Sequence, residues 1–234
     1  MMRRRSTRVT IGQERELRIP TACRTTWHRA VDEMAKDSPN IVVVSGGLRS
    51  PSTTRLLADE LSTQVSANLP NANIDMIELR ELAHPIADAM LSGFPSGALA
   101  QAVESVYASD GLVVVSPTFS GSYSGLFKSF FDILERERLT DLPTLLAATG
   151  GSSRHSLMID HALRPLFTYL GTAPVRTGVF AATQDFGGHS SAELGERIHR
   201  SVQEFTRAVT ASTRDPQAFE QEVTPFTELL ARGD

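Results

Sequence analysis

The chain has 234 residues, 41% hydrophobic and 21% charged, enough apolar material for one sizeable core, so a single domain with appendages is expected. A formal net charge of -4 and a pI near 5.9 exclude the clustered excess of Lys and Arg that nucleic acid or an anionic membrane surface would need, and neither is expected as a partner. Cys23 is the only cysteine, which excludes an intrachain disulfide and a cysteine-rich zinc site and fits a reducing cytoplasm.

Residues 1–38 mix Arg, Ser, Thr and charged residues around a short helix-like patch at 26–35 and read as an N-terminal extension. Their basic start is not followed by the apolar stretch of about 7–15 residues that a signal peptide requires. No apolar run approaches the roughly 20 residues of a membrane-crossing helix. The folded domain is expected over 39–214. Within it, strands are predicted at 41–45, 73–79, 112–116, 144–149 and 175–181, with helices at 53–67, 97–108, 123–137, 157–170 and 192–211 between and after them. Ser52, Ser96 and Ser191 stand where a hydroxyl can cap a helix, and Pro70 and Pro143 follow helices they could not continue. The tail, 215–234, has room for one short helix at 218–232. The first and third strands, IVVVS and LVVVS, are apolar at successive positions, so both faces of the sheet are covered, as in parallel α/β sheets. Alternating β and α elements then predict an α/β doubly wound parallel sheet of five strands in the order 2-1-3-4-5.

In such sheets ligands bind outside the carboxyl ends of the strands. The loop after the first strand reads SGGLRSPSTTR from Ser45 to Arg55. Gly46 and Gly47 permit a sharp turn and close approach, while Ser50, Ser52, Thr53 and Thr54 crowd hydroxyls at a helix start, where unpaired amides and the macrodipole attract an anion such as phosphate. Arg49 adds a guanidinium able to counter a phosphomonoester; an exposed loop arginine and simple capping serines are the plainer alternative. Neither G-K-[ST] nor a third glycine for G-x-G-x-x-G is present, so Glu78, where a dinucleotide fold places its ribose-binding acid, reads as a surface carboxylate. The loop after the third strand, from Ser116, brings Pro117, Gly121 and Gly125 together with Phe119 and Tyr123, aromatics that could face a planar ring or simply fill the core. Tyr123 stands where a hydrolase elbow would need its serine. The loop after the fourth strand, from Thr149, exposes backbone amides at Gly150 and Gly151, suited to ring carbonyls and nitrogens, followed by Arg154 and His155. His161 and Asp160 read as packing or surface residues, and no His, Asp and Glu grouping has metal-ligand spacing.

The segments SGGLRSPSTTR, PTFSGSYSGLFKSFFD and ATGGSSRHSLMIDHALRPLFTYLGT together resemble the NAD(P)H-dependent FMN reductase family, and within it the flavin reductases that serve two-component monooxygenases; the similarity runs over about 41–212. The resemblance implies a flavodoxin-like fold, with FMN and NAD(P)H as cofactors. It implies Ser45, Arg49, Ser52 and Thr54 around the FMN phosphate, Pro117, Thr118, Phe119 and Ser122 near the ring, and Gly150, Gly151 and Ser152 beside it. Gly47, Thr53, Ser120, Tyr123 and His155 complete the expected cofactor-binding set. The chain departs from the family at Gly46-Gly47, often Gly-Ser, and at Phe119, often Tyr. No catalytic side chain is expected, because hydride passes between nicotinamide and flavin and the protein mainly positions the rings. The expected role is to supply FMNH2 to a flavin-dependent, luciferase-like monooxygenase. The alternatives are a quinone or azo reductase that retains FMN, and a flavodoxin-type electron carrier. A homo-oligomer, dimer or tetramer, is also expected. Leu126, Phe127, Phe130, Phe131, Ile133 and Leu134 spread over an arc wider than the roughly 100° that one core face needs.

Overall fold

The computed structural model describes residues 38–186 and 191–216. The expected extension, but for Ser38, the tail helix at 218–232 and the side chain of Ser191 lie outside them. Strands β1 (Asn40–Ser45), β3 (Gly111–Pro117) and β4 (Pro143–Gly150) are buried along nearly their whole length, whereas β2 (Asn73–Glu78) is half-exposed. That contrast follows from position. The sheet is wholly parallel in the order β2-β1-β3-β4, so β2 is an edge and the three apolar strands are central.

Successive residues of the central strands feed two cores, as the two-residue period of a strand requires. Ile41, Val43, Val113, Val115, Leu145 and Ala147 meet Leu57, Leu61 and Val65 of α1 (Thr53–Asn68) and Ile198, Val202 and Phe205 of α6 (Ser191–Ala211). Val42, Val44, Leu112, Val114, Leu146 and Ala148 face the other way, toward α2 (Ala83–Ser92), α3 (Gly97–Tyr107), α4 (Gly125–Asp132) and α5 (Arg164–Tyr169). No helix among the described residues is long and apolar enough to cross a membrane.

Several local expectations are corrected. The helix α2 has no counterpart in the sequence reading, because Pro85 obscures the pattern; proline is tolerated there in the first turn, and Gly93, with φ 82°, closes the helix. Helix α4 is shorter than 123–137. Ser124 caps it by accepting the Phe127 N–H at 3.3 Å, and beyond its end the Glu135 N–H donates instead to Tyr107 Oη at 2.6 Å. Most of its apolar arc is buried within the chain: Phe127, Phe130, Phe131 and Leu134 lie in one cluster with Ile86 and Ala89 of α2, and Leu126 and Ile133, partly buried, pack against it. Ser96 stands at its cap position without a side-chain bond, and the helix expected at 157–170 opens with a π-helical turn, Ile159–Leu163, before α5.

The fifth strand is not continuous over 175–181. It is two pieces, β5 (Ala173–Pro174) and β6 (Val179–Ala182), both paired with β4. Ala173 lies opposite Pro143 and Val179 opposite Ala147, so residues 175–178 bulge against the shorter stretch 145–146. Side chains hold the bulge. Arg164 donates to the carbonyls of Val175 and Arg176, Ser201 Oγ donates to the Thr177 carbonyl, and Glu204 accepts from the Thr177 N–H and Oγ1, each at 2.8 Å.

Burial acts to raise the Glu204 pKa, but the two Thr177 donors and the Arg176 guanidinium outweigh it, leaving the carboxyl below its usual value. A depressed carboxylate stabilises the fold above its unfolded pKa, and that contribution is lost as pH falls through the folded one. Glu204→Gln is therefore expected to lower the melting temperature at neutral pH, with the gap to the parent closing in acid. A gap that is constant from pH 7 to 3 would show that the charge does not hold the bulge.

Candidate active site

The loops following β1, β3 and β4 are brought together because those strands are neighbours, with β3 in the middle. Gly46 donates its N–H to the Val115 carbonyl at 2.8 Å, and Thr118 donates its N–H to the Thr149 carbonyl at 2.7 Å. The Thr54 and Thr149 hydroxyls lie 2.8 Å apart in a buried hydrogen bond. The first and second loops are thus each tied to the end of a neighbouring strand.

In the first loop, a Cβ on Gly47 would fall 2.3 Å from Ser52 Oγ and 3.2 Å from Thr54 Cβ, so the backbone here presses against the start of α1 and a side chain would require Ser52 to shift. Ser52 caps that helix, accepting the Arg55 N–H at 3.2 Å. With no acidic residue in the first turn of α1, its positive end is uncompensated. Ser45 and Thr54 are buried and Thr53 exposed. The two arginines differ. Arg55 is committed to Asp59, at 2.8 Å, and to Glu78, and the hydrogen bond it donates to Asp59 leads in raising its pKa. Arg49 is exposed and makes no ion pair or hydrogen bond among the described residues. Glu78, read as a surface carboxylate, is the partner of Arg55.

In the second loop, Phe119 and Ser122 exchange backbone hydrogen bonds of 2.8 and 3.0 Å around Ser120 (φ 51°) and Gly121 (φ 80°), the positive φ pair of a tight two-residue hairpin turn. Ser116, which the sequence reading left unassigned, sets this loop, accepting the Ser124 N–H at 3.2 Å and donating to the Pro117 carbonyl at 3.0 Å. Phe119 is 43% exposed. Tyr123 is half-buried, its ring 6.1 Å from that of Phe127, so it belongs more to the core than to the rim. Thr118 Oγ1 is buried with no hydrogen-bond partner.

In the third loop, Gly150 ends β4; a Cβ there would fall 2.8 Å from Phe180 Cζ and 3.4 Å from Thr118 Oγ1. Gly151 is open, and Ser152 Oγ accepts the Arg154 N–H to begin a turn, Ser153–His155, that leaves His155 exposed. Thr149, which the sequence analysis does not single out, bonds both Thr54 and Thr118. The available signal was that β1, β3 and β4 all place a hydroxyl where strand gives way to loop: Ser45, Ser116 and Thr149.

The arrangement offers helix-end amides and hydroxyls to an anion, and beside them an unpaired hydroxyl and bare glycine backbone to a flat polar ring. An FMN-like ligand fits on two observations of the structure. The buried Thr118 hydroxyl lacks a partner, at a cost of about 1–3 kcal/mol unless one is supplied. The start of α1 also carries no acidic residue in its first turn, so its amides are left for an anion. Among the described residues no group of three or more His, Cys, Asp or Glu could hold a metal ion.

The model of the family described as "NADPH-dependent FMN reductase" matches residues 39–187. The NADH-dependent FMN reductase SfnE of Pseudomonas putida is 39% identical over 166 residues, covering 70% of this chain and 89% of that protein. Among solved structures, an oxidoreductase from Corynebacterium diphtheriae is 44% identical with a TM-score of 0.73, covering 76% of this chain and all of that one. The apo form of the NADH:FMN oxidoreductase EMOB is 31% identical with a TM-score of 0.66, covering 76% and 92%.

Proposed function

The chain belongs to the NADPH-dependent FMN reductase family and is an NAD(P)H-dependent oxidoreductase acting on FMN; from that premise we propose that the three-loop site binds the flavin and releases it reduced to a flavin-dependent monooxygenase. The observation that carries the site assignment is the convergence of the loops on Thr149, which sets the α1 terminus beside the unpartnered Thr118 hydroxyl. Ser52, Thr53, Thr54 and the amides at the start of α1 hold the phosphate, and Arg49 counters its charge. Thr118 and the backbone of Gly150 and Gly151 hold the ring, with Phe119 and the hairpin of Ser120 and Ser122 at its rim and Ser152 and His155 beyond it. When bound, the flavin supplies the redox chemistry by accepting hydride from nicotinamide.

The residues' work is then binding and orientation, and no acid or base among them has to move a proton for hydride to pass. Release to a partner is supported by exposure: Arg49, Phe119, Ser120, Gly121 and Gly151 all reach the surface, leaving the ring side of the site open to exchange. Oxidation of NADH and of NADPH, measured with and without added FMN, tests this reading. Turnover that depends on added FMN, and that drives product formation by a separately purified flavin-dependent monooxygenase, is the expected result. Turnover with quinone and no added flavin would instead identify a reductase that retains FMN, and inactivity with either nicotinamide an electron carrier.

A further inference from the structure

We propose that Thr149 is a positioning residue for FMN, whose hydroxyl orients Thr54 toward the phosphate and so couples the ring loop to the phosphate loop. The proposal rests on the FMN reading above. Thr149 meets all three loops. Its carbonyl accepts the Thr118 N–H at 2.7 Å, its hydroxyl bonds Thr54 at 2.8 Å, and the next residue, Gly150, opens the third loop. Thr149 and Thr54 are each 3% exposed, and the hydrogen bond between them is buried.

The direction of the hydroxyl pair follows from proton counting. Two hydroxyls sharing one hydrogen bond have one proton left over. An ionised phosphate is chiefly an acceptor, so with phosphate present the left-over proton is most useful on Thr54. Thr149 is then the donor within the pair and Thr54 donates outward. Gly47 bears on the same place, since a Cβ there would crowd Thr54 Cβ at 3.2 Å. Thr54 is thereby fixed from the sheet side by Thr149 and from the loop side by Gly47.

Thr149→Val keeps the branched shape and removes the hydroxyl. It is expected to raise the FMN dissociation constant about 3- to 10-fold, the range of one neutral hydrogen bond. Riboflavin, which lacks the phosphate, should bind within about twofold of the parent value, and Thr149→Ser, which restores the hydroxyl, should recover FMN binding. In steady state the KM for FMN should rise more than kcat falls. Fluorescence titration of FMN and riboflavin against the full chain reads these outcomes, with Thr149→Ala run alongside should the valine variant not fold. Equal weakening of both flavins, or no weakening of FMN, would overturn the positioning role. Failure of the parent protein to bind FMN would overturn the underlying flavin reading instead.

Discussion

Arg49→Ala is expected to weaken FMN binding by about 10- to 100-fold while leaving riboflavin binding nearly unchanged. The structure separates the two arginines of the first loop and helix. Arg55 is occupied by Asp59 and Glu78, whereas Arg49 is exposed and has no partner among the described residues. A guanidinium without a carboxylate, next to a helix start that lacks acidic residues, is available to a phosphomonoester. A hydrogen bond to a charged group contributes about 1.5–3 kcal/mol, which sets the expected range. Because the α1 amides and the Ser52 and Thr54 hydroxyls remain, binding should weaken and not vanish. Added salt should narrow the gap, since an exposed charge is screened within about 10 Å at 0.1 M. Global stability should hold within about 0.5 kcal/mol, as for most surface substitutions. Titration of both flavins against both proteins checks this, and an equal loss for FMN and riboflavin would show that Arg49 does not read the phosphate.

Phe131→Ala is expected to produce the largest loss of stability, about 3–5 kcal/mol, the range for emptying a buried phenylalanine site. Phe131 is fully buried on α4, with ring centroids of Phe127 and Phe167 each at 4.8 Å and Phe130 at 5.2 Å. The surrounding rings are themselves fully buried and close-packed, so they have little freedom to collapse into the space. Phe127 also lies beneath the first loop: a Cβ on Gly46 would come within 3.0 Å of its ring. Loosening this cluster should therefore weaken FMN binding as a secondary effect. Urea unfolding with an unchanged m-value and a lowered midpoint is the expected signature. A loss below about 1 kcal/mol would mean that the cluster is not the close-packed unit described.

How much was legible in the sequence depended on the range of the physical signal. IVVVS and LVVVS announced central strands because residues buried on both faces must be apolar at every position, and the same runs marked where the binding loops begin. Glycine pairs and hydroxyl-rich helix starts were legible for a similar reason, since the backbone demands of a tight turn and a helix end are met by neighbouring residues. The α/β class and the strand order thus followed from the sequence by itself.

Only the tertiary structure decided which groups were already spoken for. Arg49 and Arg55 look alike in sequence, but Arg55 lies against Glu78, 23 positions away, across the edge of the sheet. The broad apolar face of α4 gives no hint of α2, yet Ile86 and Ala89 of that helix share one buried cluster with Phe127, Phe130 and Phe131. The fifth strand reads as one β-branched run, yet Glu204, Ser201 and Arg164 supply side-chain partners that hold its middle as a bulge. Thr149 and Thr54, separated by 95 positions, meet because strand register and the α1 crossover set them face to face. Local sequence fixes the period and the turns through interactions over a few residues; the pairing of polar groups is chosen by packing between distant segments, where each buried group must find a partner within hydrogen-bond reach.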